Sequence, residues 1–92
     1  MRIRYFIDPV TDMPHIYGHD VTETEVEEIL LKPGEDRPGS DGSRIVIGRT
    51  SGGRYLRVIY VPDPNSVFVI TAYTLRGKPL LAYRRRQRRT KI

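Results

Sequence analysis

Arg44-Ile-Val-Ile-Gly-Arg-Thr-Ser-Gly-Gly-Arg-Tyr-Leu-Arg-Val-Ile-Tyr-Val-Pro-Asp-Pro-Asn-Ser-Val-Phe-Val-Ile-Thr-Ala-Tyr-Thr74 is the stretch that decides the fold. It holds three runs with strand character: Arg44–Arg49, Arg54–Val61 and Val67–Thr74. Their links, Thr50-Ser-Gly-Gly53 and Pro62-Asp-Pro-Asn-Ser66, are short and rich in turn formers. Such links join antiparallel neighbours, so the stretch predicts a meander. Side chains alternate across a strand. Leu56, Val58 and Tyr60 therefore share one face, and Tyr55, Arg57 and Ile59 the other. In the third run Phe68, Ile70 and Ala72 oppose Val67, Val69, Thr71 and Tyr73. Both sets are partly apolar, so the pattern leaves open which one meets a helix.

Upstream, residues 22–31 read as a helix. Thr22 and Glu25 have capping-box spacing, and Val21 and Val26 form the staple pair around the cap. Val26, Ile29 and Leu30 make one apolar stripe, and Pro33-Gly34 stops the helix. About ten residues are too few for an isolated helix, so the stripe must pack on the sheet. Residues 33–42 read as a loop. Residues 9–20 are polar and irregular, with room for a short helix or none. Residues 2–7 alternate and read as a first strand, ended by Asp8-Pro9. Residues 78–89 read as a short terminal helix or an extended tail. The expected fold is α+β: a small antiparallel sheet of three to four strands packed against one or two N-terminal helices. Residues 1–92 read as a single domain, with a basic C-terminal element over 76–92.

The charge is unevenly spread. Residues 1–41 carry ten Asp/Glu against four Lys/Arg, whereas residues 76–92 carry eight Lys/Arg and no carboxylate, within a net charge of +5. A basic terminus of this density asks for a polyanion, most often nucleic acid. The 92 residues provide one small core and leave little for an enclosed cofactor cavity, so no cofactor is expected. The absence of Cys excludes a disulfide scaffold and a thiolate nucleophile. No apolar run approaches a membrane span and the first residues lack a signal-peptide core, so a cytoplasmic location is the expectation.

Three phrases then suggest a family. Gly18-His-Asp-Val-Thr-Glu-Thr-Glu-Val-Glu-Glu-Ile-Leu30 is followed by a Pro-Gly loop. Ile47-Gly-Arg-Thr-Ser-Gly-Gly-Arg-Tyr-Leu-Arg-Val-Ile-Tyr60 comes next, and Val69-Ile-Thr-Ala-Tyr73 leads to the basic end. Over roughly residues 15–88 the chain resembles the DUF4258 domains of unknown function and the related BrnT-type toxins of the RelE/ParE-like superfamily. The resemblance implies a toxin-like endoribonuclease of the type II toxin–antitoxin class, with RNA as substrate and an acidic antitoxin as partner. His19 holds the place of the His in a BrnT-like His-Gly-Val phrase, with Asp20 instead of Gly. Arg49 and Arg54 match the arginines around the strand turn. Tyr73 stands where BrnT-like chains end an Ile-Ser-Ala-Arg phrase.

Metal-independent RNA cleavage requires a base for the 2′-hydroxyl, an acid for the leaving 5′-oxygen and cations at the phosphate. The candidate catalytic residues are His19, Arg49, Arg54, Tyr60 and Tyr73. Arg57, Arg84, Arg85, Arg86, Arg88 and Arg89 are the candidate nucleic-acid contacts, because a guanidinium offers phosphate a two-pronged fork. Tyr83 is a further proton carrier or stacking platform. His15 and His19 would share a helical face, but no carboxylate–histidine pattern accompanies them, so no metal is expected. The glycine turns lack the Gly-Lys-Thr of a phosphate loop and read as hairpin chemistry. The alternative reading is a non-catalytic nucleic-acid-binding or protein-interaction domain.

Overall fold

A computed structural model describes residues 2–90. The order is β1 (Arg2–Tyr5), a 3-10 turn (His15–His19), α1 (Glu23–Leu31), β2 (Glu35–Pro38), β3 (Arg44–Arg49), β4 (Tyr55–Pro62), β5 (Ser66–Thr74) and α2 (Gly77–Thr90). The fold is α+β, as expected, but the sheet has five strands in the order β1-β5-β4-β3-β2. The meander β3-β4-β5 is antiparallel, whereas β1 pairs with β5 in parallel. Among the described residues no helix is long and apolar enough to cross a membrane.

α1 forms where its caps demand. Thr22 Oγ1 accepts from the Glu25 N–H at 3.2 Å, and the Glu25 carboxylate accepts from the Thr22 N–H at 3.1 Å. Its stripe packs on one sheet face, the inner face, where Val26, Ile29, Val46, Leu56, Val58, Val69 and Ala72 are fully buried. Ile16 of the 3-10 turn and Val21 complete this interior. Gly48 lets α1 approach closely, since a Cβ there would lie 3.2 Å from Ile29 Cδ1.

Two further expectations change, and one left open between helix and tail resolves as helix. Residues 35–38 form β2 rather than loop. This strand is polar and ends in Pro38, as edge strands tolerate. It is held by ion pairs from Arg44 to Asp36 at 2.8 Å and from Arg86 to Glu35 at 2.7 Å. In β5 the alternation breaks: Tyr60 pairs with Val69 but Ile59 with Thr71, leaving Ile70 as a bulge. Val69 and Ala72 thus both face α1, although strict alternation sets them on opposite faces. The terminal residues form α2, a helix on the opposite, outer face; the last basic residue, Lys91, lies outside the described residues. There Ile47, Leu75 and Tyr83 make a second buried cluster with Tyr55 and Leu80 packed against it.

Candidate nucleic-acid interface

α2 is seated by Tyr83. Gly34 makes the seat: a Cβ at that position would lie 1.8 Å from Tyr83 Oη. Beside it, Arg86 donates twice to Glu35, at 2.7 and 2.9 Å, and Gln87 Nε2 donates to the Gly34 carbonyl at 3.0 Å. The Arg86 guanidinium holds the Glu35 carboxyl below its usual value, against the opposing effect of burial. Burial, then the charge of Glu35, pushes the Tyr83 phenol up, so it stays protonated.

Between α2 and the β3–β4 turn lies a cleft of about 320 Å³ lined by Arg49, Tyr55, Tyr83, Arg84, Gln87 and Arg88. The Arg49 guanidinium lies over the Tyr55 ring at 5.5 Å, and the Tyr55 and Tyr83 rings meet edge to face at 6.1 Å. The turn that aims Arg49 is braced. Gly53 N–H donates to the Thr50 carbonyl at 2.9 Å, and Ser51 N–H donates to the Glu28 carboxylate of α1 at 2.8 Å. The Ser51 N–H holds the Glu28 carboxyl below its usual value. Gly53 has φ +91°, a conformation that side chains resist, and a Cβ there would crowd the Arg49 guanidinium at 3.4 Å.

One strand row deeper on the same face, Glu35, Ile47, Arg57 and Tyr73 stand side by side across β2, β3, β4 and β5. Tyr73 meets His19 edge to face at 6.0 Å, and His19 meets His15 at 5.1 Å. His15 Nδ1 lies 3.4 Å from Asp8 Oδ2.

The candidate residues are therefore dispersed. Arg49, Arg84 and Arg88 share the cleft. Arg57, Tyr73 and His19 form the neighbouring group. Arg54 and Tyr60 lie elsewhere. Arg54 Nη1 donates to both Glu25 carboxylate oxygens at 2.9 Å and to the Asp20 carbonyl at 2.8 Å, and its Nη2 donates to Thr74 Oγ1 at 2.9 Å. It clamps α1 to the sheet. Tyr60 is buried on the inner face and donates to Asp36 at 3.0 Å, and burial followed by that bond raises its pKa. Arg86 docks α2, and Arg89 lines a second cleft with Gly34, Glu35, Arg86 and Gln87. Arg85 is exposed on α2. Tyr55 and Gln87 are cleft residues that the sequence pattern did not single out; for Tyr55 a signal was at hand. Its shared face with Arg57 was the available signal.

Arg49, Arg57, Arg84, Arg85, Arg88 and Arg89 make no ion pair with any described residue. No group of three or more His, Cys, Asp or Glu that could hold a metal occurs among the described residues.

The family model described as "Domain of unknown function (DUF4258)" matches residues 18–74. No curated protein and no solved structure matches the chain. The matched span runs from the 3-10 turn to the end of β5, so it contributes Arg49, Tyr55, Arg57 and Tyr73, while α2 lies beyond it. On that match, which covers more than half of its length, the chain belongs to the DUF4258 family.

Proposed function

We propose that this chain is an RNA-directed domain that grips phosphate backbone in the cleft between the β3–β4 turn and α2. The observation that carries this reading is the set of unpaired guanidinium groups around that cleft. Arg49 comes from the sheet, and Arg84 and Arg88 come from the helix. All three are exposed, and like charges held around one cleft make a local field that draws an anion in. Tyr55 and Tyr83 add aromatic surface between the charges, the combination that single strands exploit. RNA rather than DNA follows from the likeness to BrnT-type toxins, and an acidic antitoxin segment would compete for the same cations.

The test is binding of a fluorescein-labelled 20-nucleotide RNA, followed by anisotropy across a KCl series. Wild type is compared with Arg49→Gln/Arg84→Gln/Arg88→Gln. The slope of log affinity against log salt falls by roughly 0.7 for each phosphate of a single strand that the protein no longer neutralises. A variant with the wild-type slope and affinity removes the reading.

Cleavage is a second reading, favoured by the contact between His19 and Tyr73. His19 is exposed, and each of the two can take or give a proton. Neither Arg54 nor Tyr60 is free for that work, since each is bound within the fold. Induced expression should arrest growth and yield discrete new RNA 5′ ends by primer extension, and His19→Gln/Tyr73→Phe should abolish both. Intact RNA in arrested or growing wild-type cells leaves binding alone.

A further inference from the structure

We infer that Arg57 is an anion-binding residue, its Nε–H reserved for a phosphate oxygen of a strand that continues from the cleft onto the open sheet face. The inference rests on the RNA reading for the identity of the anion.

Arg57 Nε is buried without a hydrogen-bond partner among the described residues. A buried donor left without an acceptor costs more than an ordinary hydrogen bond contributes. Among the described residues no carboxylate stands beside it. Its cross-strand neighbours are Ile47 and Tyr73, and its same-face neighbours along β4 are Tyr55 and Ile59. The carboxylate in its row, Glu35, lies beyond Ile47 and is engaged by Arg86 at 2.7 Å and by Arg37 at 3.6 Å. Glu25, which satisfies Arg54, belongs to α1 on the opposite face. The sheet thus leaves this guanidinium without a counter-ion among the described residues.

The position also fits a continuing strand. Arg49 and Tyr55 are paired across β3 and β4, and Arg57 stands two residues further along β4 on the same face. Two residues of strand advance roughly 6.6 Å. A strand held in the cleft therefore meets Arg57 next, with Tyr73 and His19 beyond it. Once the Arg57 side chain turns outward, an oxyanion there receives the Nε–H and the adjacent Nη–H as a fork.

The experiment follows the Arg57 Hε–Nε resonance of ¹⁵N-labelled full chain by NMR. Titration with a 12-nucleotide RNA should shift it and slow its exchange with water. Arg57→Met should bind that RNA about tenfold more weakly, with a melting temperature equal to or above wild type, because the orphaned charge is gone. An unmoved Arg57 resonance at RNA saturation, with Arg49 and Arg84 resonances shifted, overturns the inference and leaves the cleft reading intact. Wild-type affinity of a folded Arg57→Met overturns it as well. If RNA does not bind at all, titration with inorganic phosphate decides: a shift confined to Arg57 keeps the anion site and removes the RNA reading, and no shift removes both.

Discussion

Arg54, just before β4, and Arg57, three residues on within it, meet opposite fates. Arg54 turns toward α1 and finds Glu25, the Asp20 carbonyl and Thr74. Arg57 turns toward the outer face and finds no acceptor for its Nε among the described residues. The contrast extends to the two faces as wholes. Towards α1, the acidic first half of the chain supplies partners, and Arg44 is matched by Asp36 as Arg54 is by Glu25. Towards α2, one acid, Glu35, fastens Arg86, while Arg49, Arg84 and Arg88 surround a cleft unpaired. The inner face uses charge to close the fold, and the outer face keeps charge available.

The comparison breaks first at the inner face. Ile29→Ala removes a fully buried side chain from the α1 interior and should destabilise by about 3 kcal/mol. Differential scanning calorimetry should record a fall in melting temperature of roughly 12–20 °C, with RNA affinity per folded molecule unchanged. The outer face should answer the other way. Arg49→Gln/Arg84→Gln/Arg88→Gln should weaken RNA binding about 100-fold, at about 1 kcal/mol per arginine, with the melting temperature kept. Equal losses in both measurements from either variant would erase the distinction between the faces.

Arg54→Gln sharpens it. Loss of the clamp should lower stability by about 1–3 kcal/mol, read from urea unfolding, and leave the salt slope of RNA binding as in wild type. A lowered slope would place Arg54 on the phosphate path after all.

The smallest effect concerns the fastening of α2. Glu35 has a lowered pKa in the folded chain, so its contribution is present above the ordinary carboxylate value and is lost as pH falls through the lowered one. The protection of α2 amides, relative to their intrinsic exchange rates, should therefore fall below about pH 4. Glu35→Gln should show the faster exchange at neutral pH and lose that acid dependence. The loss should be under about 1 kcal/mol, since the Arg86 side chain is 37% exposed and solvent screens the pair.

Features specified by near neighbours were legible in the sequence. The Thr22–Glu25 box and the short links of the meander act over a few residues, and both formed as read. What escaped reading depends on distant partners. β2 has no apolar signature, and Glu35 meets Arg86 from 51 residues away. Arg54 looked like a phosphate ligand because Glu25, 29 residues upstream, gives no local sign of meeting it. The bulge at Ile70 leaves no mark in a run where every residue suits a strand, yet it decides that Tyr73 shares a face with Arg57. The basic terminus was plain as charge, but not its division into a fastening arginine, Arg86, and presenting ones, Arg84 and Arg88.

The seat at Gly34 gives a way to read relatives without solving them. Any side chain there collides with the Tyr83 hydroxyl. A DUF4258 chain with a bulkier residue at this position has no room for a helix docked by an aromatic plug, whatever its terminus contains. Glycine at the equivalent of 34, with an aromatic about fifty residues downstream, then becomes a two-letter test for this cleft. It can sort the family into members that carry the same grip and members that must bind their partners by other means.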